Sequence, residues 1–203
     1  MVGYKFSSYI TFHSLKLFKL KIIFIFSYCS IFSDVIIQHN TKGYSSDFQR
    51  DWSDYKAGFG SINGKTYWKG LDAIHDLTKT GAYSLEIRLK KDGQTIAATW
   101  SSFSVASESN KFRLSVSGFN AGYYEQVDYL KDSNGMYFST RDRDNDEWPI
   151  SCSTDNGGRR GGYSGWWFWE FHTSCSQGNL NWGDSKGPQF SGYNDESTMI
   201  LKR

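Results

Sequence analysis

The run Asp142-Arg143-Asp144-Asn145-Asp146 packs three carboxylates into five residues, directly after the apolar, strand-like stretch from Met136 to Ser139. Carboxylates this close repel one another unless a cation or a basic partner sits among them. A hard divalent ion that takes roughly six to eight oxygens suits the pattern, and calcium is the natural candidate. The loop is not an EF-hand. Counted from Asp142, the sixth and twelfth positions hold Glu147 and Ser153, where an EF-hand requires Gly and Glu. What remains is a loop site in which alternate carboxylates supply charge and backbone carbonyls of the turn from Glu147 to Ile150 complete the shell. The alternative is a solvated acidic turn tied to Arg141 and Arg143.

Other residues with chemical potential lie close by. Cys152 and Cys175 read as a structural disulfide, whose loop closure contributes about 3 kcal/mol in the chain-entropy model. Zinc would need further Cys or His ligands at short spacing, which His172 alone does not supply. The glycine-rich run from Gly157 to Gly162 follows no clear strand and fits no phosphate-binding pattern, so it reads as an insertion. The aromatic run Gly165-Trp166-Trp167-Phe168-Trp169 could wall a ligand site, but core packing is the simpler role. The chain carries no Gly-x-Ser-x-Gly elbow, no His-Glu-x-x-His, and no histidine in a recognisable catalytic frame, which speaks against an enzyme. It also lacks Asn-x-Ser/Thr sequons.

A chain of 203 residues is long enough for one sizeable domain with a short appendage. The formal net charge of +2 comes from 23 basic and 21 acidic residues spread along the chain, so no nucleic-acid partner is implied. Aromatic residues make up 18% and glycines number 20, a mixture that suits a loop-rich domain packed on rings and excludes a disordered chain. Residues 1–33 differ from the rest. Lysines at 5, 16, 19 and 21 precede the uncharged run from Ile22 to Ser33, which falls short of the roughly 20 residues that span a bilayer and matches a signal-peptide core. Cleavage near Ser27 or Cys29 would leave Cys152 and Cys175 as an even pair for an oxidising compartment. A signal anchor or a segment foreign to the mature protein are the other readings. Residues 1–33 are therefore read as a leader-like segment and 34–203 as the domain.

The elements that must position these residues follow from periodicity. Val35 to Gln38 is β-like, and a polar stretch runs from there to Arg50. Leu71, Ile74, Leu77 and Thr78 share a helical face and Gly81 follows as a stop, predicting a helix over 71–80. Tyr83 to Lys90 and Thr95 to Phe103 alternate on either side of Asp92-Gly93 and form a hairpin. Phe112 to Ser117 is a third antiparallel strand and Met136 to Thr140 a fourth. Beyond Arg141 periodicity ends, and function concentrates in such irregular segments.

Taken in order, several motifs resemble the fibrinogen C-terminal domain family. They are Asp47-Phe48-Gln49-Arg50-Asp51-Trp52, Tyr55-Lys56-Ala57-Gly58-Phe59-Gly60, Tyr67-Trp68-Lys69-Gly70-Leu71 and Ile74-His75-Asp76-Leu77-Thr78, followed by Lys111-Phe112-Arg113-Leu114, Phe138 to Asp146 and Asn179-Leu180-Asn181. The resemblance covers about Val35 to Arg203. It implies an α+β fold around a twisted antiparallel sheet with short helices and a loop-built end holding calcium, a disulfide and a ligand pocket. Carried onto this chain, it implies Ca2+ held by the side chains of Asp144 and Asp146 and the carbonyls of Trp148 and Ile150, with Asp142 structural. Cys152 and Cys175 correspond to the family's pair, and the pocket would lie near Tyr163, Cys175, Ser176 and Asn179.

The sequence departs from the family pattern at its start, where an opening section with its own cysteine pair is replaced by the lysine-rich apolar segment. It departs again at Cys175-Ser176 and after Asn181, where the pocket wall is shortened. The resemblance implies a secreted, non-enzymatic module of innate-immune, lectin-like type that binds acetylated carbohydrate or similar ligands, with avidity from homo-oligomers and no membrane span in the mature chain. The alternative it implies is a matrix or receptor-binding adhesion domain of tenascin or angiopoietin type, with an extracellular protein partner and calcium purely structural.

Overall fold

The computed structural model describes residues 33–81, 83–121, 127–154, 163–169, 175, 178–182, 185–190 and 192–203. The leader-like segment, apart from Ser33, and the glycine-rich run lie outside them.

Seven antiparallel strands make one sheet. They are β1 (Val35–Thr41), β2 (Phe59–Gly60), β3 (Thr66–Trp68), β4 (Ser84–Lys91), β5 (Gln94–Val105), β6 (Leu114–Asn120) and β7 (Glu196–Lys202), arranged β2-β3-β1-β7-β4-β5-β6. The expected hairpin is present, with Leu85 opposite Trp100 and Lys91 opposite Gln94 across the Asp92-Gly93 turn. Burial follows the pleat. Leu85, Ile87 and Leu89 face the core with Met199 and Leu201 of the neighbouring β7, where their methyls leave water.

Among the described residues there are two α-helices: α1 (Trp52–Ala57) packs against α2 (Leu71–Thr78), and α2 packs against β5, burying Leu71, Ile74 and Thr78 as its periodicity required. The turn that ends α1 and the turn that launches α2 touch. Gly58 and Gly70 have φ of 97° and 98°, and a Cβ on either would fall 2.7 Å from a backbone carbonyl, of Lys69 and Ala57 respectively. Only glycine supplies both the positive φ and the close approach.

Two expectations are corrected. First, β1 runs on to Thr41, through residues read as a polar stretch. Gln38 and Asn40 are fully buried because both side-chain amides donate to the carbonyl of Leu180, each at 2.9 Å. Polar residues alternate here on the inward face, which hides the strand from a hydrophobicity reading. Second, Met136 to Thr140 is not a strand of the sheet. Its backbone partners change residue by residue: Met136 accepts from Leu114, Phe138 donates to Lys111, Ser139 pairs with Trp166, and Thr140 pairs with Arg143. No continuous ladder can form from such partners.

The core reaches the irregular half of the chain through aromatic rings. Phe138 lies 5.2 Å from Tyr55, 6.0 Å from Trp68 and 5.0 Å from Trp167 by ring centroids. Trp166, Trp167 and Phe168 are buried completely, so that run is core rather than ligand wall. Such ring pairs stabilise by about 1 kcal/mol each beyond their buried area.

Candidate functional site

The acidic run divides into two parts with different work. Asp142 points back into the domain, its Oδ1 accepting from Trp52 N at 2.8 Å and from Thr140 Oγ1 at 2.7 Å. It thereby satisfies an orphan donor in the first turn of α1, a service its own N-cap residue Asp51 does not perform. Asp144 and Asp146 face one another's loop instead. Asp144 Oδ1 accepts from Asp146 N at 3.2 Å, and Asp146 accepts from Trp148 N through Oδ1 at 3.0 Å and from Cys152 N through Oδ2 at 2.9 Å.

Neither basic neighbour neutralises this pair. Arg141 bonds Asp51, while Arg143 sits 4.3 Å over the Trp52 ring and 3.5 Å from Glu108. The acidic turn is thus not tied to its own arginines. Partial burial, reinforced by the charge of Asp144, pushes the Asp146 carboxyl up to about 6 against the pull of its two backbone N–H donors. Among the described residues no Lys or Arg forms an ion pair with either carboxylate, and such a pair would suit a bound cation.

The donor set fits calcium and no softer metal. Among the described residues no group of three or more His, Cys, Asp or Glu gathers for a metal, so side chains alone would not suffice. To hold calcium here, backbone carbonyls would have to supply the balance, and those of Trp148 and Ile150 accept no hydrogen bond among the described residues. Ile150 is half exposed, at the loop's open side.

Asp146 also links this loop to the next. Its bond to the Cys152 amide precedes the disulfide that joins Cys152 to Cys175, with Cα atoms 5.5 Å apart. Beyond it, Asn179 Nδ2 donates to Ser164 Oγ and Asn181 Nδ2 to Gly165 O, each at 3.0 Å, while β1 grips the Leu180 carbonyl between them. The segments 163–165 and 179–181 are thereby fastened together. Of the expected pocket residues, Tyr163 is 41% exposed and held at φ 56°, Cys175 and Asn179 are buried, and Ser176 lies outside the described residues. Several buried polar atoms of the irregular half have no hydrogen-bond partner among the described residues: the hydroxyls of Ser151 and Ser153, the indole N–H groups of Trp166 and Trp182, and Asn181 Oδ1. Buried polar groups are costly to leave unpaired, and an ordered water, an ion or a ligand can satisfy them. Sequence reading missed these atoms and the Asp142–Trp52 link, since only the fold brings residues 90 apart into contact.

The sheet and the stapled loops define an α+β domain with an irregular, loop-built end. A family model described as the fibrinogen beta and gamma chains, C-terminal globular domain, matches residues 19–196, and the chain belongs to that family. Among its relatives, the fibrinogen beta chain of Gallus gallus is 35% identical over 187 residues, covering 77% of this chain and 39% of its own length. Tenascin-R of Homo sapiens is 32% identical, covering 81% of this chain and 12% of its own, and angiopoietin-4 of Bos taurus is 37% identical, covering 72% and 27%. The chain therefore spans well under half the length of these curated relatives. Among solved structures, the fibrinogen-like globe domain of human ANGPTL6 superposes with a TM-score of 0.69 at 28% identity, covering 84% of this chain and 78% of that one. The lamprey fibrin D-dimer, complexed with the peptide ligand Gly-His-Arg-Pro-amide, gives 0.66 at 27% identity, covering 84% and 61%.

Proposed function

We propose that this chain is a secreted, extracellular recognition module whose loop end binds Ca2+ and, beside it, a small polar group such as acetylated carbohydrate. The observation that carries this reading is the pair Asp144 and Asp146, crowded with no ion-pair partner among the described residues and joined to the Cys152–Cys175 staple through the Cys152 amide. Calcium there would be held by Asp144, Asp146 and the carbonyls of Trp148 and Ile150. It would neutralise the loop and stiffen the neighbouring residues Tyr163, Cys175, Ser176 and Asn179, so that less ordering entropy is lost when ligand binds. The hydroxyls of Ser151 and Ser153 and the Asn181 amide oxygen, without a hydrogen-bond partner among the described residues, favour a polar, hydrogen-bonding ligand over an apolar one. A single such site binds weakly, and several copies would bind with avidity.

A second reading has its own support. The peptide bound by the lamprey fibrin structure and the kinship with tenascin-R and angiopoietin-4 favour a protein or peptide ligand, with calcium purely structural. A glycan array probed in calcium and in chelator separates the two. Chelator-sensitive retention on acetylated sugars is the expected result. Absence of any calcium-dependent glycan signal, with retention on extracellular protein, would overturn the carbohydrate reading in favour of the second.

A further inference from the structure

Away from the calcium loop, a cleft of about 550 Å3 opens between the C-terminal end of α2, the last residues of β5, the start of β6 and the turn at 134–135. That volume lies within the roughly 300–1,000 Å3 typical of small-ligand sites. Its lining includes the basic side chains His75, Lys79 and Arg113 and the amides Asn110 and Asn134, and among the described residues no carboxylate lines it.

Both walls are fixed by backbone hydrogen bonds. On one side, Val105 receives α2 twice: its N–H donates to Thr78 Oγ1 at 3.1 Å, and its carbonyl accepts from His75 Nδ1 at 2.8 Å. This bond holds the proton on Nδ1 and leaves Nε2 as the free ring nitrogen. On the other side, Gly135 N donates to Leu114 O at 2.9 Å, Leu114 N to Met136 O at 3.0 Å, and Val116 N to Asn134 Oδ1 at 2.9 Å. Arg113 is clamped by its Nε, which donates to Gly135 O at 2.7 Å, so its two terminal amines keep their donors for another acceptor.

The backbone that delivers Arg113 is unusual. Lys111 and Phe112, neither of them glycine, both have positive φ, 50° and 49°. Phe112 is fully buried and its carbonyl accepts from Trp167 Nε1 at 2.7 Å, which holds this costly conformation in place. Among the described residues Lys79 pairs with Asp76 alone, three residues earlier on an exposed face, an interaction that a ligand anion can replace at little cost. The negative end of the α2 dipole is partly satisfied, since His75 O and Thr78 O accept from Lys79 N and Gly81 N.

We infer that this cleft is a second binding site, for the sulfate or carboxylate group of an acidic saccharide. A planar or forked oxyanion would meet the terminal amines of Arg113 and the ammonium of Lys79, while Asn110, Asn134 and the Ser115 hydroxyl suit the sugar's own hydroxyls. The amides and hydroxyls around the cations favour a saccharide over an acidic peptide, and the site is independent of calcium.

Calorimetric titration of the whole chain tests this, using a sulfated disaccharide, its desulfated parent and an acidic peptide of equal charge, each in calcium and in chelator. The expected result is saturable binding of the sulfated sugar alone, unchanged by chelator. Arg113→Gln should weaken it about tenfold and Lys79→Gln about threefold, while Lys65→Gln, at the other edge of the sheet, leaves it intact. Failure of the sulfated sugar to bind, equal binding of the desulfated parent, tighter binding of the peptide, or full affinity in both cleft variants would each overturn the inference. Should Arg113→Gln not fold, Lys79→Gln decides together with backbone amide shifts of the wild type, which must move at residues 113–115 and 134–135.

Discussion

Three aspartates within five residues do two unrelated things, and their hydrogen bonds say which does what. Asp142 caps α1 from across the fold, so Asp142→Ala should cost about 1 kcal/mol, the usual magnitude of a lost helix cap, and leave the thermal response to calcium intact. Asp146 behaves differently because burial raises its folded pKa to about 6 from an ordinary 3.8. Without the ion, the folded state keeps a proton that the unfolded chain has already released between about pH 4 and 6, so stability falls as pH rises through that window. At about 1.4 kcal/mol per unit, and allowing for partial solvent access, the loss should be about 2 kcal/mol. Denaturant titrations from pH 4 to 7 in chelator check this, and Asp146→Asn should flatten the profile. The crowding of carboxylates was legible in the sequence. The division of labour was not, because Trp52 lies 90 residues from Asp142 and its use of that carboxylate depends on the fold.

At the scale of elements, alternation marked the β4–β5 hairpin and helical spacing marked α2, since apolar faces there pack on the core in the ordinary way. It failed where polar side chains turn inward. Gln38 and Asn40 carry β1 through the middle of the sheet with buried amides, and their reward is the Leu180 carbonyl, which fixes the segment fastened to 163–165. Asn40→Leu should therefore destabilise the domain by about 1–3 kcal/mol, the cost of unpairing buried polar groups, without touching the acidic loop. Chemical denaturation in the presence and absence of calcium measures both halves of that expectation. Apolar content was equally misleading in Met136 to Thr140, where buried residues serve a winding segment whose partners come from four different places.

For the molecule as a whole, a family-wide sheet supports a loop end that local periodicity does not describe, and the motifs that identify the family lie mostly where chain turns or side chains interlock. Gly58, Gly70, Trp68 and Phe138 belong to such places. The central claim is that Asp144 and Asp146 hold calcium and that this ion, with the Cys152–Cys175 staple, rigidifies the recognition surface. Thermal melting of the wild type and Asp144→Ala, each in chelator and in excess calcium, tests it most directly. An ion present at about a hundred times its dissociation constant stabilises by about 2.7 kcal/mol, which for a domain of this size raises Tm by about 5–10 °C. The wild type should show that rise and Asp144→Ala should lose it. A wild type that gains no stability from calcium, or a variant that gains as much, would contradict the assignment.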